Sequence, residues 1–70
     1  MKITIEGELN EEDKNKIANS VQHLDLNMIC DKMDGKLNLI NIWGETVSFA
    51  VEKTSDGFLL KYRWTTRRGI

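Results

Sequence analysis

Two stretches of alternating apolar residues constrain the fold of this 70-residue chain more than any other feature. They span residues 46–53 and 58–65, and a segment of turn-forming composition, 54–57, lies between them. An apolar residue at every second position is typical of a strand with one buried face. The pattern predicts a β-hairpin. Its inward side chains are Val47, Phe49 and Val51 on the first strand and Phe58, Leu60, Tyr62 and Trp64 on the second.

The two apolar faces also predict the register of the hairpin, because a slip of one residue would turn an apolar face toward water. The expected inward pairs are Val51 with Leu60, Phe49 with Tyr62 and Val47 with Trp64. The expected outward pairs are Glu52 with Leu59, Ala50 with Lys61 and Ser48 with Arg63. The aromatic residues of the second strand are thereby assigned to the core or its margin.

A strand and a helix are predicted before the hairpin. Residues 2–6 alternate between polar and apolar, which predicts a first strand. Asn10 and the three acidic residues after it have the pattern of a helix N-terminus. An apolar stripe with helical spacing follows, made of Ile17, Val21, Leu24 and Met28. We expect a helix from 11 to about 31. The alternative is a helix that ends near His23 and an extra strand at 25–30.

A third strand and a turn complete the predicted order. Residues 37–42 are rich in Leu and Ile, and their alternation slips between 39 and 40, which predicts either a bulge or burial on both faces. Residues 43–45 are expected to turn the chain. The predicted fold class is α+β, in the order β-α-β-β-β, with an antiparallel sheet of about four strands and one helix packed on one face. We expect residues 1–70 to form one domain, with 66–70 as a candidate flexible basic tail.

The cysteine and histidine content limits the chemistry. One cysteine, Cys30, and one histidine, His23, form neither an intramolecular disulfide nor a four-ligand zinc site, so no metal or cofactor is predicted. A chain of this size buries only about 60% of its unfolded surface, so the core holds itself or is completed by a partner or a second copy. No apolar run is long enough for a signal peptide or a membrane span. A cytoplasmic protein with no membrane partner is therefore predicted.

Charge is divided unevenly along the chain. Residues 1–34 carry eight acidic residues against four lysines, whereas residues 35–70 carry six basic residues against three acidic ones. The acidic cluster near the predicted helix start is explained by the helix dipole, which favours negative charge there. The asymmetry favours association with a partner through the C-terminal half of the chain.

The candidate partner-binding residues combine this charge with apolar side chains outside the predicted core. Basic residues on the last strand are expected on the sheet face away from the helix, and apolar residues on that face would be left uncovered by a single helix. The residues are Lys61, Arg63, Arg67, Arg68, Leu59 and Trp43. The alternative explanation of the basic residues is solvated charge on an edge strand, which discourages aggregation.

These features predict a non-enzymatic protein-binding module whose partner is a host protein or a second copy. Catalysis is not predicted, because no nucleophile with an adjacent base and no phosphate-binding loop is evident. The alternative is a nucleic-acid-binding protein that uses Lys61, Arg63, Arg67 and Arg68. The isoelectric point of about 5.7 favours a protein partner, since dedicated nucleic-acid domains are usually strongly basic.

In overall character the chain resembles the small accessory proteins of phages and other mobile elements. It is short, rich in Asn and Lys, lacks Pro, and begins directly with a predicted strand. The resemblance rests on no family motif, so it carries no functional residue over to this chain. It implies a protein that binds a host protein, such as a defence nuclease, and blocks or redirects it.

Overall fold

Two helices and four strands follow one another in the computed structural model, which describes residues 2–66. Their order is β1 (Lys2–Glu6), α1 (Glu11–Val21), α2 (Leu26–Lys32), β2 (Lys36–Ile40), β3 (Thr46–Lys53) and β4 (Gly57–Thr65). Asn10 is the N-cap of α1, as predicted, because its Oδ1 accepts a hydrogen bond from the Asp13 N–H at 2.8 Å. The predicted α+β class, with a sheet of four strands, is confirmed.

The sheet has the strand order β1-β4-β3-β2 and is mixed. β4, β3 and β2 are antiparallel neighbours, whereas β1 runs parallel to β4. The prediction of a wholly antiparallel sheet is therefore wrong for β1. The helical segment returns the chain along the sheet before β2, and two hairpins then reverse it twice, so β4 runs in the direction of β1. β4 is a central strand as far as Lys61, where β1 ends, so the charge of Lys61 is not that of an edge strand, whereas Arg63 lies beyond the end of β1.

The register of the hairpin is confirmed over most of its length. Val51 pairs with Leu60, Phe49 with Tyr62, Glu52 with Leu59 and Ala50 with Lys61. The register then shifts between Ser48 and Phe49. Beyond this point Ser48 pairs with Trp64 and Val47 with Thr65.

Arg63 is therefore the extra residue of a β-bulge in β4. A bulge reverses the alternation of the residues that follow it, so Trp64 shares a face with Ser48 and not with Phe49. The predictions that Trp64 points inward opposite Val47 and that Arg63 pairs with Ser48 are wrong. Tyr62, before the bulge, does point inward and packs edge-on against Phe49, with ring centroids 6.0 Å apart.

The predicted single helix is broken at residues 22–25. Asp25 starts a second helix there, because its Oδ1 accepts a hydrogen bond from the Met28 N–H at 3.1 Å. The Leu24 N–H donates to the Val21 carbonyl at 3.0 Å, which closes the turn between the two helices. The alternative of a strand at 25–30 is also wrong, since that segment is helical.

The break changes which side chains of the helical region are buried. Val21, Leu26 and Ile29 are buried, whereas Leu24 and Met28 of the predicted stripe are exposed. Both helices pack on the same face of the sheet, because their buried residues join those of the strands in one cluster. Its members are Val21, Leu26, Ile29, Leu37, Val47, Phe49, Val51, Phe58 and Leu60. We call the opposite side of the sheet the open face.

β2 is shorter than the predicted strand over 37–42, because Asn41 already belongs to the following turn. Leu37 is buried and Leu39 packs against the core, whereas Ile40 is 68% exposed. The slip in alternation therefore reflects neither a bulge in β2 nor burial on both of its faces. It marks the residue at which the strand leaves the core.

Candidate binding surfaces

Lys61 lies on the open face, as predicted, between carboxylates of both neighbouring strands. Its Nζ forms an ion pair with Glu52 Oε2 at 2.8 Å, and in the sheet register it lies opposite Glu6 of β1. The hydrogen bond with Glu52, followed by the charges of Glu52 and Glu6, raises the pKa of Lys61 above its ordinary value of 10.5. The positive charge predicted for this part of β4 is thus largely matched by carboxylates within the same sheet.

Replacing Glu52 by Gln is expected to lower the pKa of Lys61 toward its ordinary value, because the neutral amide no longer favours the ammonium form. A group whose pKa is raised on folding stabilises the fold at neutral pH, and this contribution is lost as the pH rises through the raised pKa. An NMR titration of the Lys61 side chain measures the shift. Asp31→Asn is the matched control, because Asp31 Oδ1 lies 2.9 Å from Lys53 Nζ and raises the pKa of Lys53. This variant should leave the pKa of Lys61 unchanged. Equal Lys61 titrations in Glu52→Gln and in the original protein would contradict the pairing.

The bulge in β4 exposes Arg63 and Trp64 together. Trp64 is 43% exposed on the open face, and within residues 2–66 no carboxylate lies at ion-pair distance from Arg63. Leu59 is on the same face, as predicted, and is half-buried opposite Glu52. Thr66 is the last described residue, and its N–H donates to the Thr46 carbonyl at 2.9 Å. Arg67 and Arg68 lie outside the described residues.

The turn between β2 and β3 is held by the side chain of Asn41. Its Oδ1 accepts from the N–H groups of Trp43 and Glu45 at 3.0 and 2.9 Å, and its Nδ2 donates to Glu45 Oε1 at 2.8 Å. Gly44 takes a left-handed φ of 79°, which closes the turn. Such side-chain bonding to the local backbone is how Asn stabilises tight turns. The turn therefore holds the backbone of its apolar residues in a defined position.

Two of the most exposed apolar side chains project from this turn. Ile42 is 86% exposed and Trp43 is 59% exposed. The prediction placed Trp43 on the face away from the helices, and this is wrong: Trp43 borders a groove of about 630 Å³ that α1 also lines. We call this region the tip surface. It consists of Ile42, Trp43 and the apolar groove residues Leu9, Ile17, Leu39, Ile40 and Val47.

The rim of the groove carries more negative than positive charge. Asp13 and Glu45 line it, and its one lining cation among the described residues, Lys16, already forms an ion pair with Glu12 at 3.3 Å. An apolar depression with an acidic rim has the chemistry to accept an apolar side chain that is flanked by Lys or Arg. Neither the groove nor Ile42 was among the residues singled out from the sequence.

Other reactive groups form no site in the described part of the chain. Cys30 packs against the core with Sγ 3.6 Å from the Val51 carbonyl oxygen, and burial raises the pKa of its thiol. His23 is exposed. Within residues 2–66, no three His, Cys, Asp or Glu side chains come together as a metal site requires. Neither α1 nor α2 has the length and apolar character needed to cross a membrane.

Comparison of the chain with protein-family models, with curated proteins and with solved structures finds no match. The binding surfaces are therefore interpreted from their own chemistry.

Proposed function

We propose that this chain is a non-enzymatic protein-binding module that contacts its partner through the tip surface. The observation that carries the proposal is the exposure of Ile42 and Trp43 on a turn whose backbone is hydrogen-bonded to the Asn41 side chain. A Trp that becomes buried when a partner binds is a frequent hot spot of protein interfaces. A turn held by its own hydrogen bonds loses little conformational entropy in that step. A soluble domain gains nothing in its own stability from leaving such side chains in water.

The partner proposed for this surface presents an apolar side chain to the groove and a basic residue to its rim. Asp13 and Glu45 supply the complementary charge. Blocking of a host protein, which the resemblance to phage accessory proteins implies, is one biological outcome of such binding. Charge at the rim should act mainly on the association rate, and the apolar contacts on the dissociation rate.

Trp43→Ala is expected to weaken binding about 30-fold, the size of a hot-spot effect, and Ile42→Asp is expected to weaken it at least as much. The partner is first captured from the source cells after nuclease treatment, then purified, and its dissociation constant for each variant is measured by calorimetry. Trp64→Ala is the matched control, because it removes the other exposed tryptophan, on the opposite face of the sheet. It should leave the affinity within a factor of two.

Unchanged affinity of Trp43→Ala and Ile42→Asp for the purified partner would overturn the tip surface as the site. Failure to capture any protein would overturn the proposed function itself. Circular dichroism of each variant establishes that it is folded. This control is informative because both side chains are largely exposed and contribute little to the core.

A second candidate function, binding of single-stranded nucleic acid, is favoured by one observation. The bulge turns Trp64 outward beside Arg63, which gives an exposed aromatic ring next to a cation. Nucleic-acid binding is the weaker candidate, because the positive charge of Lys61 is already paired with the Glu52 carboxylate. The same variants separate the two functions: salt-sensitive binding of an oligonucleotide that is lost in Trp64→Ala and kept in Trp43→Ala would support this candidate over the first.

A further inference from the structure

The outer edge of β2 exposes a regular set of backbone hydrogen-bonding groups. Val51 N–H donates to the Gly35 carbonyl at 2.7 Å and Asn41 N–H to the Glu45 carbonyl at 3.0 Å, which identifies the hydrogen-bonded positions of the β2–β3 ladder. These positions alternate in an antiparallel pair, so Leu37 and Leu39 bond toward β3. The backbone groups of Lys36, Asn38 and Ile40 consequently point away from the sheet.

β2 is a better pairing edge than β1, the other edge strand of the described sheet. β1 carries a charged residue at each end, Lys2 and Glu6, and α1 borders it with the charged residues Glu11 and Lys14. Charges at an edge discourage the approach of another strand. β2 has a single charge, Lys36, and no proline or bulge to block pairing.

We propose that the β2 strands of two copies of this chain pair edge to edge in antiparallel orientation, with Asn38 at the two-fold axis. In this register the Asn38 N–H of each copy donates to the Asn38 carbonyl of the other. The Ile40 N–H of each copy likewise donates to the Lys36 carbonyl of the other. The Lys36 N–H is not needed, because it already donates to the Met33 carbonyl at 3.0 Å within its own chain.

The side chains of β2 fit the same register. Leu37 of one copy lies opposite Leu39 of the second on the helix side, so the apolar layer continues across the axis. On the open face, Ile40, which is 68% exposed in the single chain, lies opposite Lys36 of the second copy and can pack on its aliphatic stem. A slip of one residue would place leucine opposite polar residues and misalign the outward backbone groups.

This inference goes beyond the proposed function, since it concerns the backbone edge of β2 and requires neither Ile42 nor Trp43. Leu39 and Ile40 belong to both surfaces, so the tip surface is tested separately with Trp43→Ala. Sedimentation equilibrium from micromolar to about millimolar protein is expected to show a monomer–dimer equilibrium. Amide hydrogen exchange supplies a second readout. The Asn38 and Ile40 amides should become protected as the concentration rises, whereas the Leu37 and Leu39 amides, bonded to β3, should be protected at every concentration.

Ile40→Lys is expected to weaken the dimer about tenfold, because it places Lys opposite Lys at both ends of the paired strands. Adding Lys36→Glu to that variant should restore the dimer, since Glu then lies opposite Lys. Thr4→Lys is the matched control on the exposed face of β1, and it should leave the equilibrium unchanged.

A chain that sediments as a monomer at all concentrations would overturn edge pairing. So would a dimer whose dissociation constant is indifferent to Ile40→Lys, or Asn38 and Ile40 amides that exchange at a rate independent of concentration. These outcomes are distinct from a failure of the tip surface. A chain that shows no dimer but loses partner affinity in Trp43→Ala would leave the proposed function in place. A chain that dimerises through β2 but keeps its partner affinity in Trp43→Ala would leave edge pairing in place without the tip surface.

Discussion

Replacing Phe49 with Ala is expected to lower the free energy of unfolding by about 3–5 kcal/mol, the usual range for deleting a buried aromatic ring. Phe49 is fully buried, lies between Leu37 and Tyr62 in the sheet, and packs edge-on against the Tyr62 ring. A chain of this size has a total stability of roughly 4–10 kcal/mol. The variant should therefore lose a large fraction of its stability. Urea denaturation followed by circular dichroism measures the loss.

Ile42→Ala is the control for the Phe49 variant, because it also truncates a large apolar side chain but at a position that is 86% exposed. Its free energy of unfolding should stay within about 0.5 kcal/mol of the original. A loss below about 1 kcal/mol in Phe49→Ala would contradict the placement of Phe49 at the centre of the core.

Replacing Gly57 with Ala is expected to lower the free energy of unfolding by about 3 kcal/mol, the upper part of the range for overpacking. A Cβ at Gly57 would overlap the backbone carbonyl oxygen of Lys2, and backbone atoms cannot move aside as a flexible side chain can. Lys2 pairs with Gly57 at the start of the parallel β1–β4 ladder and donates its N–H to the Asp56 carbonyl at 2.9 Å. The added methyl group must therefore push β1 away from β4.

Hydrogen exchange distinguishes this cause from general destabilisation. In Gly57→Ala the amides of β1 should lose protection more than those of β3, because only β1 is displaced. Ser55→Ala changes an exposed residue of the same turn and should leave both strands unchanged. Equal loss of protection in β1 and β3 would show that the methyl group acts through some other contact.

The hairpin was the part of the fold that the sequence predicted best. Val51 opposite Leu60 and Phe49 opposite Tyr62 were deduced from alternation, because each pairing buries apolar residues on the same face. The bulge at Arg63 could not be deduced in this way. In the sequence the alternation continues through Trp64. Whether a bulge at Arg63 turns Trp64 outward and Thr65 inward depends on how these two side chains pack against other elements.

The helix break and the parallel placement of β1 were missed for a related reason. Asp25 is a weak signal inside a helical stripe, and whether it caps a new helix depends on how Leu26 and Ile29 pack against the sheet. The strand partner of β1 depends on the path of the whole chain and not on residues 2–6. Both features are set by contacts that are distant in sequence.

The candidate site was only partly accessible from the sequence. Lys61 and Leu59 lie on the open face as predicted, but composition alone gave no sign that Glu52 and Glu6 lie beside Lys61. Ile42 was assigned to the end of a strand, although it is the most exposed of the large apolar residues described. The available signal was Asn41 followed by Gly44 around a tryptophan, a turn pattern that exposes the residues it encloses.

The pairing of β1 with β4 has a consequence for how the protein is made. β1 is synthesised before its partner strand β4, and both helices and two strands lie between them in the sequence. Until β4 is made, β1 has no strand to pair with, so the nascent chain must hold Ile3 and Ile5 in water or in transient contacts. Contacts between segments that are distant in sequence slow folding. A chain that stalls before Gly57 lacks β4 and should therefore remain unfolded and be open to chaperones and proteases.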